Sequence, residues 1–432
     1  MMEYTSTRDS TLRADAGRAL SEGLAPDGGL YVPRDLPQFD PTAFDPWLGL
    51  PECATRVLSP FFDGSALAAH IDPICRSALD LPLPIEPLAA DHPTWMMELF
   101  HGPTAAFKDF AARFLARAMG ALHGESEKRR TVLVATSGDT GAAVAAAFHR
   151  RPGFRVVILY PDGRVSGRQA HQLGAFGDNV HAFRVQGSFD DCQRMVKQAL
   201  ADPDLVQQHA LTSANSISIG RLLPQISYYA MAAARLADHA PIDVVVPTGN
   251  LGNALACILA RDIGFPIRRI HLATNANRTL PEYFAGADYA GRAGLRTLAN
   301  AMDVGDPSNF ERLAWFYRDR DPRDAGILAE SFDDDAIRAS IRRQFDRRNL
   351  IVCPHTACAL ERVERLRADG DDAPMLVAAT AHPAKFETVI EPIIGQTVPL
   401  PPALADLLDR PSWAQEMAPE RTALERALRS MA

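Results

Sequence analysis

Four short stretches of this chain are almost wholly apolar, and each ends at a turn rich in small or polar residues. Thr131-Val132-Leu133-Val134-Ala135-Thr136 leads into Ser137-Gly138-Asp139-Thr140-Gly141 and an alanine-rich helix predicted from Ala142 to His149. Asp243-Val244-Val245-Val246-Pro247 leads into Thr248-Gly249-Asn250-Leu251-Gly252-Asn253 and a helix from Ala254 to Ile263. Arg155 to Tyr160 ends at Pro161-Asp162-Gly163, and Met375 to Ala379 runs into Thr380-Ala381-His382-Pro383-Ala384-Lys385-Phe386. A strand with one wet face alternates apolar and polar residues, whereas a strand without a polar face has to be covered on both sides. Strands of this kind alternating with helices predict parallel sheets clothed by helices. Further strands are expected at Val180–Val185 and Ile270–Thr274, and further helices at Phe110–Leu122, Phe189–Leu200 and Ile219–Ala237.

The two sets of strand–helix units predict an α/β protein with two parallel-sheet domains around a cleft. The expected boundaries are a turn-rich N-terminal domain at 1–95, α/β domains at 96–215 and 216–395, and a helical tail at 396–432. A chain of 432 residues is long enough for several cores. Its formal charge of −8 argues against a general nucleic-acid binder. The six cysteines are scattered without a CxxC pair, so neither a disulfide framework nor a zinc site is expected, and no metal is assigned. The N-terminus is polar from the start and no apolar run is long enough to span a bilayer, so a soluble, cytoplasmic protein is expected.

The chemistry centres on Glu98-Leu99-Phe100-His101-Gly102-Pro103-Thr104-Ala105-Ala106-Phe107-Lys108-Asp109-Phe110. Apolar neighbours disfavour an ammonium, so Lys108 between Phe107 and Phe110 would be a depressed-pKa amine suited to imine chemistry with a carbonyl. The alternative is a lysine snorkelling to water from the first turn of a helix.

Three turns could hold anions. Thr136, Ser137, Asp139 and Thr140 lie between a buried strand and a helix start, where hydroxyls and open N–H groups suit a carboxylate; Ser137 or Asp139 could equally cap the helix. Gly249, Asn250, Leu251 and Asn253 form a candidate phosphate nest, the glycines and asparagines being able to take left-handed torsions; a plain turn with Asn253 as the cap is the alternative. Asn215 and Ser216 precede a long helix whose first turn carries Arg221, a cation in the wrong place for the helix dipole unless an anion lies beside it. An arginine directed to solvent is the default for that position.

Taken together, these strings identify a resemblance. Tyr4 to Arg8, Gly28 to Pro33, Glu98 to Phe110, Thr136 to Gly141, Ser213 to Leu222, Asn300 to Val304 and Thr380 to Phe386 resemble the threonine synthase family, pyridoxal-phosphate enzymes related to the tryptophan synthase β subunit. The resemblance covers nearly the whole chain and implies the fold type II architecture of those enzymes. It implies that Lys108 is the Schiff-base lysine. It places Thr136, Ser137, Asp139 and Thr140 at the substrate carboxylate and cofactor ring, and Gly249, Asn250, Leu251 and Asn253 at the cofactor phosphate. Thr380 is implied at the pyridine nitrogen, and Asn215, Ser216 and Arg221 at the phosphate of O-phospho-L-homoserine.

The chain departs from the family pattern at Asp139, where some branches have asparagine. It departs also at Cys353, where an acidic residue is commoner, and at Ser166-Gly167-Arg168, which lacks a proline. The implied reaction converts O-phospho-L-homoserine and water to L-threonine and phosphate in a monomer or homodimer, with no nucleic-acid or membrane partner. The alternatives are a related phospho-lyase acting on another phosphorylated amino acid and a non-catalytic binding protein on the same scaffold.

Overall fold

The computed structural model describes residues 1–89, 92–124 and 129–431. Two sheets organise the chain. The first has five parallel strands in the order Gln415–Met417, Val180–Val185, Phe154–Pro161, Arg130–Ala135, Leu211–Ser213. The second has six in the order Ile327–Ser331, Ile267–Thr274, Ile242–Pro247, Met375–Ala379, Thr94–Glu98, Ile85–Ala89. Only its edge strand Ile85–Ala89 runs antiparallel to its neighbour. The strands expected to be covered on both faces are so: every residue of Ile242–Pro247 and Met375–Ala379 is buried.

The helix Ile219–Arg235 is buried from Ile219 to Ala234. A helix apolar enough to be enclosed all round belongs to the core rather than the surface. It packs against Lys108–His123, Gly252–Asp262 and Leu50–Leu58, joining the N-terminal segment to the α/β body. In that segment Tyr4–Ser6 and Tyr31–Pro33 pair antiparallel, and the Tyr4 hydroxyl donates to the Phe61 carbonyl at 2.9 Å.

Three details differ from the sequence reading. The strand Thr94–Glu98 straddles the expected boundary at 95 and lies beside Met375–Ala379, so the lysine segment hangs from the second sheet, not the first. The tail is not wholly helical: Gln415–Met417 adds an edge strand to the first sheet, and Leu424 and Leu428 of the last helix are buried with Met195 and Val196. A strand at Leu211–Ser213 went unpredicted, and it brings Asn215 alongside the Thr136–Gly141 turn by pairing with Arg130–Ala135. Apolarity marks a strand but not its partner, and three-residue strands carry too little pattern to stand out.

All six cysteines are buried and unbridged. Among the described residues no helix is long and apolar enough to cross a membrane, and no group of His, Cys, Asp or Glu is arranged to hold a metal.

Candidate active site

The C-terminal ends of four strands, at Ala135, Ser213, Pro247 and Ala379, open toward one cleft of about 460 Å³. Ligands collect at that end of parallel strands because the following loops and helix N-termini present unpaired N–H groups there.

The lysine turn is built by its neighbour. The Asp109 carboxylate accepts from the Thr104 N–H at 2.9 Å and the Thr104 hydroxyl at 2.7 Å, folding Gly102–Ala106 back over the helix start. A Cβ at Gly102 would run into that carboxylate. Phe107 N–H donates to the Thr380 carbonyl at 2.9 Å and His382 N–H to the Ala105 carbonyl at 3.0 Å, so the lysine turn is zipped to the turn after Met375–Ala379. Lys108 is therefore the first residue of Lys108–His123, and it lines the cleft rather than reaching bulk water. Burial brings its ammonium down from 10.5 to about 8; Asp139 opposes the shift and Lys385 and Arg221 add to it.

In the next turn the cap is supplied by Thr136, not by Ser137 or Asp139. Its hydroxyl oxygen accepts from Gly138 N–H at 3.0 Å and Gly141 N–H at 2.9 Å, which starts the helix at Asp139, three residues earlier than expected. Gly138 has φ +133°, and a Cβ there would lie 2.7 Å from the Gln169 amide nitrogen. Ser137 and Thr140 line the cleft. Asp139 is buried in an ion pair with Lys385 at 2.8 Å, and Gln169 donates to the same oxygen at 3.0 Å. Burial alone would raise this carboxyl, but Lys385 and Lys108 together carry it well below the usual carboxylate range.

The turn Thr248–Asn253 departs from expectation in how it is shaped. Neither glycine nor asparagine takes the left-handed torsion; Leu251 does, at φ +62°, and it is the residue before the helix Gly252–Asp262. Gly249 is required for a different reason, since its Cβ would lie 2.6 Å from the Cα of Met302. Asn253 is not a cap. Its side-chain carbonyl accepts from Tyr228 and Tyr229 at 2.5 and 2.9 Å, leaving its amide nitrogen buried without a partner among the described residues. Asn250 donates to the Ser216 hydroxyl at 2.5 Å and accepts from Ser308 N–H at 2.6 Å, tying this turn to the Asn215–Ser216 segment. Arg312 reinforces the tie from beneath, donating to the carbonyls of Ile217 and Tyr31 and to Asn309, which in turn donates to the Asn250 carbonyl.

Arg221 is not directed to solvent. It is 4% exposed, lines the cleft, and donates one terminal nitrogen to the Ala214 carbonyl at 2.6 Å. Its Nε is buried without a partner, and no carboxylate forms an ion pair with it among the described residues, although Asp109 acts on it from farther away. Burial lowers the guanidinium to about 10. A buried cation without a counter-ion is costly unless an anion joins it.

The candidate residues thus all line one cleft, Thr380 included. In the sequence analysis Lys385 entered only within the Thr380 to Phe386 string, and Gln169 and His355 were given no role. Gln169 bridges Asp139 and Asn300, and the same residue closes a capping box with Ser166, whose hydroxyl donates to the Lys385 carbonyl. The unexpected Ser166-Gly167-Arg168 segment is therefore a clamp on the Lys385 turn, with Arg168 donating to the Ala384 carbonyl at 2.5 Å. Cys353 is the cap of Pro354–Ala368, its sulfur accepting from Thr356 N–H at 3.4 Å as an aspartate would. The Ser-x-x-Gln spacing at 166–169 is the one local signal that was available.

A fold type II pyridoxal-phosphate enzyme is what this architecture and the comparisons define. Residues 81–380 match the family described as pyridoxal-phosphate dependent enzyme, residues 3–79 the threonine synthase N terminus, and residues 356–428 the threonine synthase C-terminal family. The chain is 38% identical over 408 residues to a threonine synthase of Serratia marcescens, with 94% of each covered. The crystal structure of threonine synthase from Escherichia coli superposes with a TM-score of 0.92 at 35% identity, covering 100% of both chains. A pyridoxal-phosphate-bound threonine synthase from Brucella melitensis gives 0.91 at 34% identity, covering 100% of this chain and 99% of that one. The chain belongs to the threonine synthase family.

The residues present fit that cofactor. No described residue accepts from the backbone N–H groups of Asn250, Leu251, Gly252 or Asn253, and the Asn253 amide nitrogen is an additional orphaned donor beside them. The Gly249 contact offers a check. Gly249→Ala forces the Met302 turn to move, and overpacking of about 1–3 kcal/mol corresponds to roughly a five- to hundredfold loss of pyridoxal-phosphate affinity if it falls on the bound form. Titration of the apoprotein measures it; unchanged affinity would mean that the turn has no part in holding the cofactor.

Proposed function

We propose that this protein converts O-phospho-L-homoserine and water to L-threonine and inorganic phosphate. The observation that carries this reading is the pairing, in one cleft, of Lys108 with two separate anion sites. One is the nest at Gly249–Asn253, the other the segment holding Asn215, Ser216 and the unpaired Arg221. A cofactor phosphate and a substrate phosphate account for both. Thr136, Ser137 and Thr140 would receive the substrate carboxylate, and Asp139, which lines the same cleft, would lie toward the cofactor ring.

Pyridoxal phosphate, when bound, supplies the electron sink that stabilises negative charge on the substrate carbons. Everything else falls to the chain. Lys108 would hold the cofactor through its aldehyde, and its amine would serve as the base that moves protons at Cα and Cβ. A pKa near 8 leaves it able both to take and to return a proton near neutrality. Arg221, with Asn215 and Ser216, holds the phosphate whose bond to Cγ breaks. Water then delivers its oxygen to Cβ. Thr380, which lines the cleft, would offer the pyridine nitrogen a hydroxyl rather than a carboxylate, and that nitrogen would then have no charged partner there.

The test is the purified protein with O-phospho-L-homoserine, measuring threonine and phosphate released in equal amounts. Arg221→Ala removes charge-assisted hydrogen bonds worth about 1.5–3 kcal/mol, so kcat/KM falls roughly ten- to hundredfold while cofactor affinity stays the same. Inorganic phosphate inhibits the parent competitively and the variant far less. Phosphate release without threonine would mean elimination without addition of water at Cβ, and release of neither product would replace this substrate with another phosphorylated amino acid.

A further inference from the structure

His355 opens the helix Pro354–Ala368, is 3% exposed, and lines the cleft, yet nothing in the mechanism above uses it. Its Nε2 lies 3.1 Å from the backbone nitrogen of Ala301. A backbone N–H can only donate, so Nε2 must be the acceptor and carries no proton. A neutral imidazole then bears its proton on Nδ1. That nitrogen is buried with no partner among the described residues.

The ring is held in this orientation. It packs against Phe386 with centroids 4.9 Å apart, and the Ala301 contact anchors the opposite edge. The charged groups around it are Asp139, Lys108 and Lys385, two cations against one anion, and the helix start adds positive potential of its own. Burial keeps the imidazole neutral, lowering its pKa to about 4.

We propose that His355 is a fixed-tautomer hydrogen-bond donor of the active site, its Nδ1–H directed at an oxygen of the group bound in the cleft. A buried N–H with no acceptor is costly, and its cost is relieved only when an acceptor arrives. The acceptor is an anionic or carbonyl oxygen, either on the cofactor ring or on the substrate. This inference rests on the proposed reaction for its substrate arm alone.

Two isosteric replacements separate the ring's nitrogens. His355→Gln places an acceptor near Nε2 for Ala301 but loses the Nδ1 donor; His355→Asn keeps a donor near Nδ1 and loses the Ala301 contact. If the acceptor is on the cofactor, His355→Gln weakens pyridoxal-phosphate binding to the apoprotein about tenfold or more, whereas His355→Asn stays closer to the parent. If the acceptor is on the substrate, cofactor affinity is unchanged and kcat/KM for O-phospho-L-homoserine falls by that factor in the glutamine variant. A merely structural histidine predicts the reverse order, with asparagine the worse of the two, and that result overturns the proposal.

Nitrogen NMR of the ¹⁵N-histidine-labelled parent holoprotein gives a test that does not depend on the variants folding. It should find His355 protonated at Nδ1 and not titrating between pH 6 and 9. An Nε2–H tautomer or a charged ring overturns the assignment. Failure to form threonine would sink the reaction proposed above while leaving this tautomer test standing.

Discussion

Lys108→Ala is expected to yield a folded, colourless protein whose turnover drops by roughly 10²–10⁴-fold or below detection, since it removes both the amine that links the cofactor and the general base. The visible absorption band of the lysine-linked cofactor, present in the parent and abolished by borohydride reduction, is the direct readout. Folding should survive because burying this charge costs the native state more than its attraction to Asp139 returns. The folded pKa of about 8 lies below the ordinary 10.5, so the unfolded chain binds the proton more tightly. Between those pH values the unfolded state carries more protons, and the apoprotein's stability from this group therefore rises with pH. Below pH 8 the penalty is fully present, and alanine removes it. The same shift predicts that capture of pyridoxal phosphate by the apoprotein speeds up as pH rises through about 8 and then levels off. Capture still accelerating up to pH 10 would mean that the amine is not buried as described. A Lys108→Ala protein that keeps its colour and activity would end the whole reading.

Lys385→Met should be the most destabilising single change at the site. Lys385 is fully buried, 2.8 Å from Asp139, and also donates to the Thr104 carbonyl at 2.7 Å. Removing it leaves a buried carboxylate with only Gln169 and the more distant Lys108 to offset it, a loss of about 3–5 kcal/mol by the measure of other buried pairs broken on one side. In the parent the Asp139 pKa is depressed, so its contribution is present above about pH 4 and disappears only as the pH falls below that. In the variant the pKa of the unpaired carboxyl rises instead. The folded state then holds the extra proton, and the variant becomes less stable as pH increases from 5 to 8. Adding Asp139→Asn removes the stranded charge and should recover much of the loss. Chemical denaturation at the two pH values decides the matter: a pH-independent loss, unrelieved in the double variant, would mean that methionine merely packs badly.

Much of the architecture was legible because its signals are local. Met375–Ala379 and Val180–Val185 emerged with the bounds expected, the first because a strand covered on both faces has no polar residue to blur it. The turns after them were recognisable from their glycines, hydroxyls and asparagines, and the cleft-lining candidates came from those turns. Details inside the turns were less accessible. Leu251 takes the left-handed torsion that glycine or asparagine was expected to take, and Thr136 does the capping assigned to its neighbours. Both outcomes depend on what the turn packs against.

Local residue order is enough to show that this chain alternates buried strands with helices, that small-residue turns follow the strands, and that one lysine lies among aromatics. Each of these is written in a few consecutive residues. The folded arrangement pairs Thr94–Glu98 with Met375–Ala379, which hangs Lys108 beside Thr380, and no local pattern carries that pairing. It also encloses Arg221 with no ion-pair partner among the described residues, brings Asp139 to Lys385, and lets a backbone N–H from Ala301 set the tautomer of His355. Burial and pairing are relations between residues far apart in the chain. A charge or a ring nitrogen acquires its chemistry from whichever distant groups exclude water from it.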